Sequence, residues 1–104
     1  MAKQMLLNGD KIGFRSSGHS LWPRVHSNDC CFYEPIPVND DILLGDIVFC
    51  EVQPGNRFFA HVVLSQEFCY SNAKPFWLIG NIKNIVNGWC YREHIYGRVY
   101  LVLR

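Results

Sequence analysis

Ser20 is the side chain in this sequence with the surroundings of a nucleophile. It stands in Gly18-His19-Ser20-Leu21-Trp22-Pro23, where the glycine lets the chain turn sharply and the proline fixes the exit. A serine hydroxyl is a weak nucleophile until a neighbouring base takes its proton. It also needs backbone N–H groups nearby to hold the oxyanion that forms on attack. A tight turn suits both needs. The plainer reading is that Gly-His-Ser is a common loop tripeptide in which Ser20 caps a turn. The bases on offer are His19, His26, His61 and His94, and two later lysines, Lys74 and Lys83. An imidazole works as a base near neutrality without a large pKa shift, whereas a lysine must be desolvated. His19 adjoins Ser20, but neighbours on an extended chain point apart. His61, in Ala60-His61-Val62-Val63, also reads as a strand histidine hydrogen-bonded within the fold. Lys74 precedes Pro75 in a polar stretch and Lys83 sits in an Asn-rich turn, so both read as solvated surface charges.

The bulk composition describes one domain, residues 1–104. A hydrophobic share of 49% is enough for a core, and 14% aromatic residues argue against disorder. The formal charge is +1 with no basic run, which leaves no electrostatic footprint for nucleic acid. Five cysteines (Cys30, Cys31, Cys50, Cys69, Cys90) form no C-x-x-C pair. They read as reduced, small core hydrophobes of a cytosol-like compartment, and their spacing predicts no zinc site. No cofactor or metal is expected. No apolar run approaches the roughly 20 residues that cross a bilayer, and Met1 to Leu7 lacks the apolar core of a secretion signal. The expectation is a soluble, cytoplasmic chain without a membrane anchor of its own.

The elements that must position Ser20 and a base read as strands. Met5-Leu6-Leu7, the turn Asn8-Gly9-Asp10 and Lys11 to Arg15 suggest a hairpin with an Asn-Gly turn. Asp29 to Glu34 reads as a strand stopped by Pro35-Ile36-Pro37. Val38 to Leu44 is a connector, with room for one helical turn. Ile47 to Val52 and Arg57 to Gln66 form a hairpin around Pro54-Gly55-Asn56. Glu67 to Pro75 reads as a surface loop, Pro75 to Ile79 as a short strand and Gly80 to Gly88 as turn-like. Trp89 to Glu93 fits a strand or a turn. Ile95 to Leu103 is a terminal strand, with Gly97 as a bulge or a point of close approach. No stretch holds a helical period over three turns. The predicted architecture is all-β: a small, partly open, barrel-like sheet of short, mostly antiparallel strands.

In order and spacing these stretches resemble the peptidase superfamily that joins signal peptidase I to LexA-type self-cleaving repressors. Its members carry the nucleophile in a G-x-S-M-x-P turn, and here Leu21 stands for the methionine. A G-D-x-[ILV] strand start follows, matched by Asn28-Asp29-Cys30-Cys31 with Asn for Gly. Gly45-Asp46-Ile47-Val48 matches the second such signal without change. Ile95-Tyr96-Gly97-Arg98-Val99 resembles the closing I-x-G-[KR]-[VA]. Bacterial signal peptidases and LexA-type proteins use a lysine base on the strand after G-D-[IV]-V, while the endoplasmic-reticulum type uses a histidine in a stretch like V-H-R-V. No lysine lies between Lys11 and Lys74, so the resemblance implies Ser20 with His61.

The same resemblance implies an orienting group in a G-D-N-N-x-x-D stretch, represented here by Gly80 to Asn87. Both acidic positions are asparagine, Asn81 and Asn87, with Asn81 taken as the third member of the catalytic set. In serine-protease triads an Asp-to-Asn change costs roughly 10⁴-fold, although an amide oxygen can still accept from Nδ1–H. By analogy Phe14, Leu21, Trp22 and Val62 wall a shallow apolar cleft that accepts small residues, with the substrate peptide docking as an added strand. Only 19 residues precede Ser20, so cleavage in trans is expected rather than self-cleavage. The implied function is a serine endopeptidase. The alternative is a weakened or inactive relative that serves as a peptide-binding, regulatory or dimerisation module, including a homodimer.

Overall fold

The computed structural model describes every residue except Ser17, His19, Ser20, Trp22, Pro23 and Val38. The fold is all-β, as expected. Seven strands make one antiparallel sheet: β1 (Ile12–Arg15), β2 (Cys30–Pro35), β3 (Ile47–Val52), β4 (Arg57–Cys69), β5 (Lys74–Gly80), β6 (Val86–Cys90) and β7 (Ile95–Leu103). Their order is β1-β2-β7-β3-β4-β5-β6. The sheet does not close into a barrel, but it curls. Gln53, just past β3, exchanges two backbone hydrogen bonds with Trp89 of β6 (2.8 and 3.0 Å). That bridge wraps β3 to β6 around one core.

The central strand shows why the sheet has two cores. Along β3, Val48, Cys50 and Val52 point into the first core with Val63, Trp77, Ile79, Cys90 and Ile95. Ile47 points into the second with Leu6, Leu21, Val25, Cys31, Tyr33, Val62 and Tyr96, and half-buried Phe49 packs against it. Because both faces of β3 are covered, its sequence is apolar without alternation from Ile47 to Cys50.

The N-terminus departs from the expected hairpin. Ala2–Leu7 is a short helix, α1. Gly9, at φ +92°, ends it, with Gly9 N–H donating to Leu6 O and Asp10 N–H to Met5 O, each at 3.0 Å. This is a Schellman cap, and Asn-Gly serves it for the same reason it serves a hairpin: both need a residue at positive φ. One buried side chain, Leu6, anchors the helix. It meets the backbone of β7 at Gly97, where an added Cβ would lie 2.9 Å from both Leu6 Cδ2 and Glu34 O. Gly97 is therefore the point of close approach its sequence position suggested.

The polar stretch 67–75 also differs from expectation. β4 runs on to Cys69 and β5 begins at Lys74, paired Glu67 with Phe76 and Cys69 with Lys74. The hairpin extends past the first core, so this part of β4 carries no buried face to give it a hydrophobic period.

A candidate peptide cleft between the first strand and the open edge of the fourth

The loop that bears Ser20 has its two feet tied together. Ser16 N–H donates to Asp29 O (2.8 Å), Asn28 N–H returns to Ser16 O (2.9 Å), and Ser16 Oγ donates to His26 O (2.9 Å). Asp29, the buried polar side chain among the described residues (4% exposed), accepts His26 N–H on Oδ2 at 2.8 Å and pairs with Arg104 at 3.3 Å. The turn ahead of β3 repeats this device. Asp46 Oδ2 accepts Leu43 N–H (3.3 Å) while Asp46 N–H donates to Leu43 O (3.1 Å), just as Asp29 N–H donates to His26 O (3.0 Å). In both turns the residue before the aspartate has positive φ, Gly45 at +89° and Asn28 at +72°. Asparagine is among the few non-glycine residues that adopt this conformation readily. Asn28-Asp29 and Gly45-Asp46 are thus the same strand-entry turn written twice.

β4 supplies the facing wall. Val63 exchanges hydrogen bonds with Asp46 O and Gly45 N–H, both at 2.9 Å, which directs its backbone toward the β3 side. Alternation then directs Phe58 and Ala60 away from β3. Pairing with β5 begins only at Val62 opposite Gly80. Among the described residues, no strand pairs with the free side of Arg57 to His61.

Between this edge and the end of β1 lies a cleft of about 210 Å³. Phe14, Arg15 and Ser16 form one side, Gly18, Leu21 and Val25 the next, and Phe58 to His61 the opposite side. Its floor is aromatic. Phe14 stacks on Tyr33 with ring centroids 4.7 Å apart, and Phe58 stacks on Phe49 at 5.8 Å. Burial in this cluster pushes the Tyr33 hydroxyl pKa up, with smaller contributions from Cys31 and Cys50.

His61 lies opposite Val48 of β3 and stacks on Phe59 at 4.8 Å and 19°. The Arg57 guanidinium lies 5.3 Å over the Phe59 ring and donates to Asn87 O at 2.7 Å, which ties β6 to this end of β4. The half-buried His61 ring has Nδ1 shielded from solvent. Burial holds its pKa below the usual imidazole range, and a hydrogen bond in which the Asn87 side chain accepts from the ring partly opposes that shift. The imidazole is therefore neutral at neutral pH, the form a general base requires.

The residues singled out from the sequence fall in different places. Ser20 and Trp22 lie outside the described residues. Phe14, Leu21 and His61 line the cleft. Val62 is 5% exposed and sits in the second core rather than on the cleft wall: it shares a face of β4 with Ala60 but lies where β3 and β5 both pair with the strand. Asn81 organises the β5–β6 turn: its Oδ1 accepts Lys83 N–H (2.9 Å) and Ile85 N–H (3.0 Å). The amide that faces His61 is that of Asn87. Sequence reasoning named both asparagines and preferred the first; the signal for the second is its place at the start of β6, beyond the turn. Arg57 and Asp29 were not foreseen as organisers of this region. Lys74 is engaged with Glu93 (2.7 Å), and Lys83 is exposed in the turn.

Of the five cysteines, Cys31, Cys50 and Cys90 are fully buried, and none is in a disulfide. A hydrogen bond with Cys90, reinforced by burial, raises the Cys50 thiol pKa and leaves it unreactive. Among the described residues no group of three or more His, Cys, Asp and Glu is arranged to hold a metal ion. No helix among them is long and apolar enough to cross a membrane. Comparison with family models, with curated proteins and with solved structures finds no match.

Proposed function

We propose that this chain is a serine endopeptidase of the signal peptidase and LexA type, acting in trans on an extended peptide, with Ser20 as nucleophile and His61 as general base. One observation carries the reading: Gly18 and Leu21, the described residues on either side of Ser20, line the same cleft as His61. The backbone groups of Phe58 and Ala60, which no strand among the described residues pairs on this side, give a peptide strand its hydrogen-bond partners along that cleft. On this reading Nδ1, shielded from solvent, is the nitrogen that is held in place and Nε2 the one that serves the nucleophile. Ser20 Oγ attacks the scissile carbonyl as its proton passes to Nε2, and the same proton then goes to the departing amine. Water repeats the sequence to release the acyl group. Asn87, rather than Asn81, takes the orienting role. Five unpaired thiols favour a reducing, cytoplasm-like compartment.

Asn87 also supports a second reading. A neutral amide can fix the tautomer of His61 but offers no charge to stabilise the imidazolium, which fits a slow enzyme or a domain that holds peptides without cutting them. Incubation with a proteome-derived peptide library, read by mass spectrometry, separates the two. Cleavage that disappears in Ser20→Ala with melting temperature unchanged supports the peptidase. Cleavage that persists in Ser20→Ala refutes it, and strand-like peptide binding without cleavage establishes the second reading.

A further inference from the structure

The outer face of β5 and β6 carries a row of aromatic rings on the far side of the sheet from the first core. Trp77, Ile79 and Cys90 point inward, so alternation turns Phe76 of β5 and Trp89 of β6 outward with Tyr91 beyond. The three rings are half-buried and close a cavity of about 250 Å³ with Cys69. Each ring stands nearly perpendicular to the next: Phe76 to Trp89 at 5.9 Å and 70°, Trp89 to Tyr91 at 5.3 Å and 79°.

That geometry selects among ligands. A sugar or a nucleobase needs a ring face lying open, and a polynucleotide also needs unpaired cationic groups. Here successive rings meet edge to face and form notches rather than a platform. The adjacent cation, Lys74, is neutralised by Glu93 at 2.7 Å and lies 4.2 Å over the Tyr91 ring. What the notches do present is hydrogen-bond donors. Tyr91 Oη accepts Asn72 Nδ2 at 3.0 Å, so its own O–H is left to donate outward. Among the described residues no acceptor takes the indole N–H of Trp89. A surface of donors and notches matches a backbone that offers carbonyls and no N–H groups. Polyproline II is such a backbone: its carbonyls are free, its prolines have no N–H, and its rings fit slots between perpendicular aromatics.

We infer that Phe76, Trp89 and Tyr91 form a docking site for a proline-rich segment of a partner protein in the polyproline II conformation. The site shares no lining residue with the cleft that His61 lines and does not depend on peptidase activity. Decaproline, titrated to millimolar concentration into ¹⁵N-labelled protein, tests it. The indole N–H resonance of Trp89, identified by its absence from Trp89→Phe, is expected to shift saturably. Removing one donor, in Trp89→Phe or Tyr91→Phe, is expected to weaken binding about five-fold each, the effect of one lost hydrogen bond, with the rest of the spectrum unchanged. Tyr91→Phe keeps its ring and tests the donor even if Trp89→Phe fails to fold. A resonance unmoved by decaproline, equal affinity in Tyr91→Phe, an equal response to a Gly-Ser peptide of the same length, or saturable binding of cellohexaose or oligothymidine at these rings in place of decaproline would each overturn the inference.

Discussion

Replacing Asn87 by Asp gives the amide beside His61 a negative charge with almost no change in shape. In the wild-type chain burial lowers the His61 pKa, and the neutral Asn87 side chain opposes that only in part. A carboxylate at hydrogen-bonding distance attracts the imidazolium by about 4 kcal/mol at an effective dielectric near 20. Part of that is offset by desolvating the carboxylate, and opposite charges this close raise a pKa by roughly 1–3 units. His61 of Asn87→Asp should therefore titrate above the ordinary imidazole value of about 6.5, where the wild type titrates below it. NMR titration of the four histidines, with His61→Gln for assignment, reads this directly. Stability follows with opposite signs. In the wild type the depressed folded pKa means that stability is lost as pH falls below about 6.5. In Asn87→Asp the raised pKa adds stability that is present below about 6.5 and lost as pH rises through the folded value. The melting-temperature difference, variant minus wild type, should thus fall between pH 5 and pH 8. On the proposed peptidase reading, the acid limb of the rate profile moves up with the His61 pKa, and turnover above that limb rises, within the roughly 10⁴-fold that the reverse change costs a serine-protease triad. A His61 titration unmoved by Asn87→Asp would refute the pairing.

Two further substitutions test the scaffold. Asp29→Ala strands His26 N–H at the foot of the Ser20 loop, which should cost about 1–3 kcal/mol. A melting-temperature fall of roughly 4–8 °C for each kcal/mol follows, and on the proposed peptidase reading turnover should fall further than stability alone explains when assayed well below the melt. Leu6→Ala removes the one buried anchor of α1 and should cost about 2–5 kcal/mol, with hydrogen-exchange protection lost first at Ala2–Leu7 and kept in β3.

Where a strand's surroundings are uniform, its limits were legible. Ile47–Val52 and Ile95–Leu103 begin and end where composition and turn residues place them. Asn8-Gly9 was misleading because positive φ serves a helix cap and a hairpin equally, and only the burial of Leu6 against Gly97 decides between them. The ribbon at 67–75 was invisible because exposed strand residues carry no hydrophobic period. At the site, the type of residue facing His61 was legible and its position was not. Asn81 and Asn87 are alike in sequence, but one closes a turn on its own backbone while the other starts a strand that Arg57 ties to β4. The matched turns at Asn28-Asp29 and Gly45-Asp46 were visible as a repeated signal, and their identical hydrogen bonding gives the repeat its physical cause.

The most direct measurement is the intact mass of the folded chain after exposure to a peptidyl fluorophosphonate, with the modified residue mapped by fragmentation. The account predicts a single adduct on Ser20 that forms more slowly as His61 is protonated and is absent from His61→Ala. An unmodified chain, or an adduct on any other residue, would contradict Ser20 and His61 as nucleophile and base.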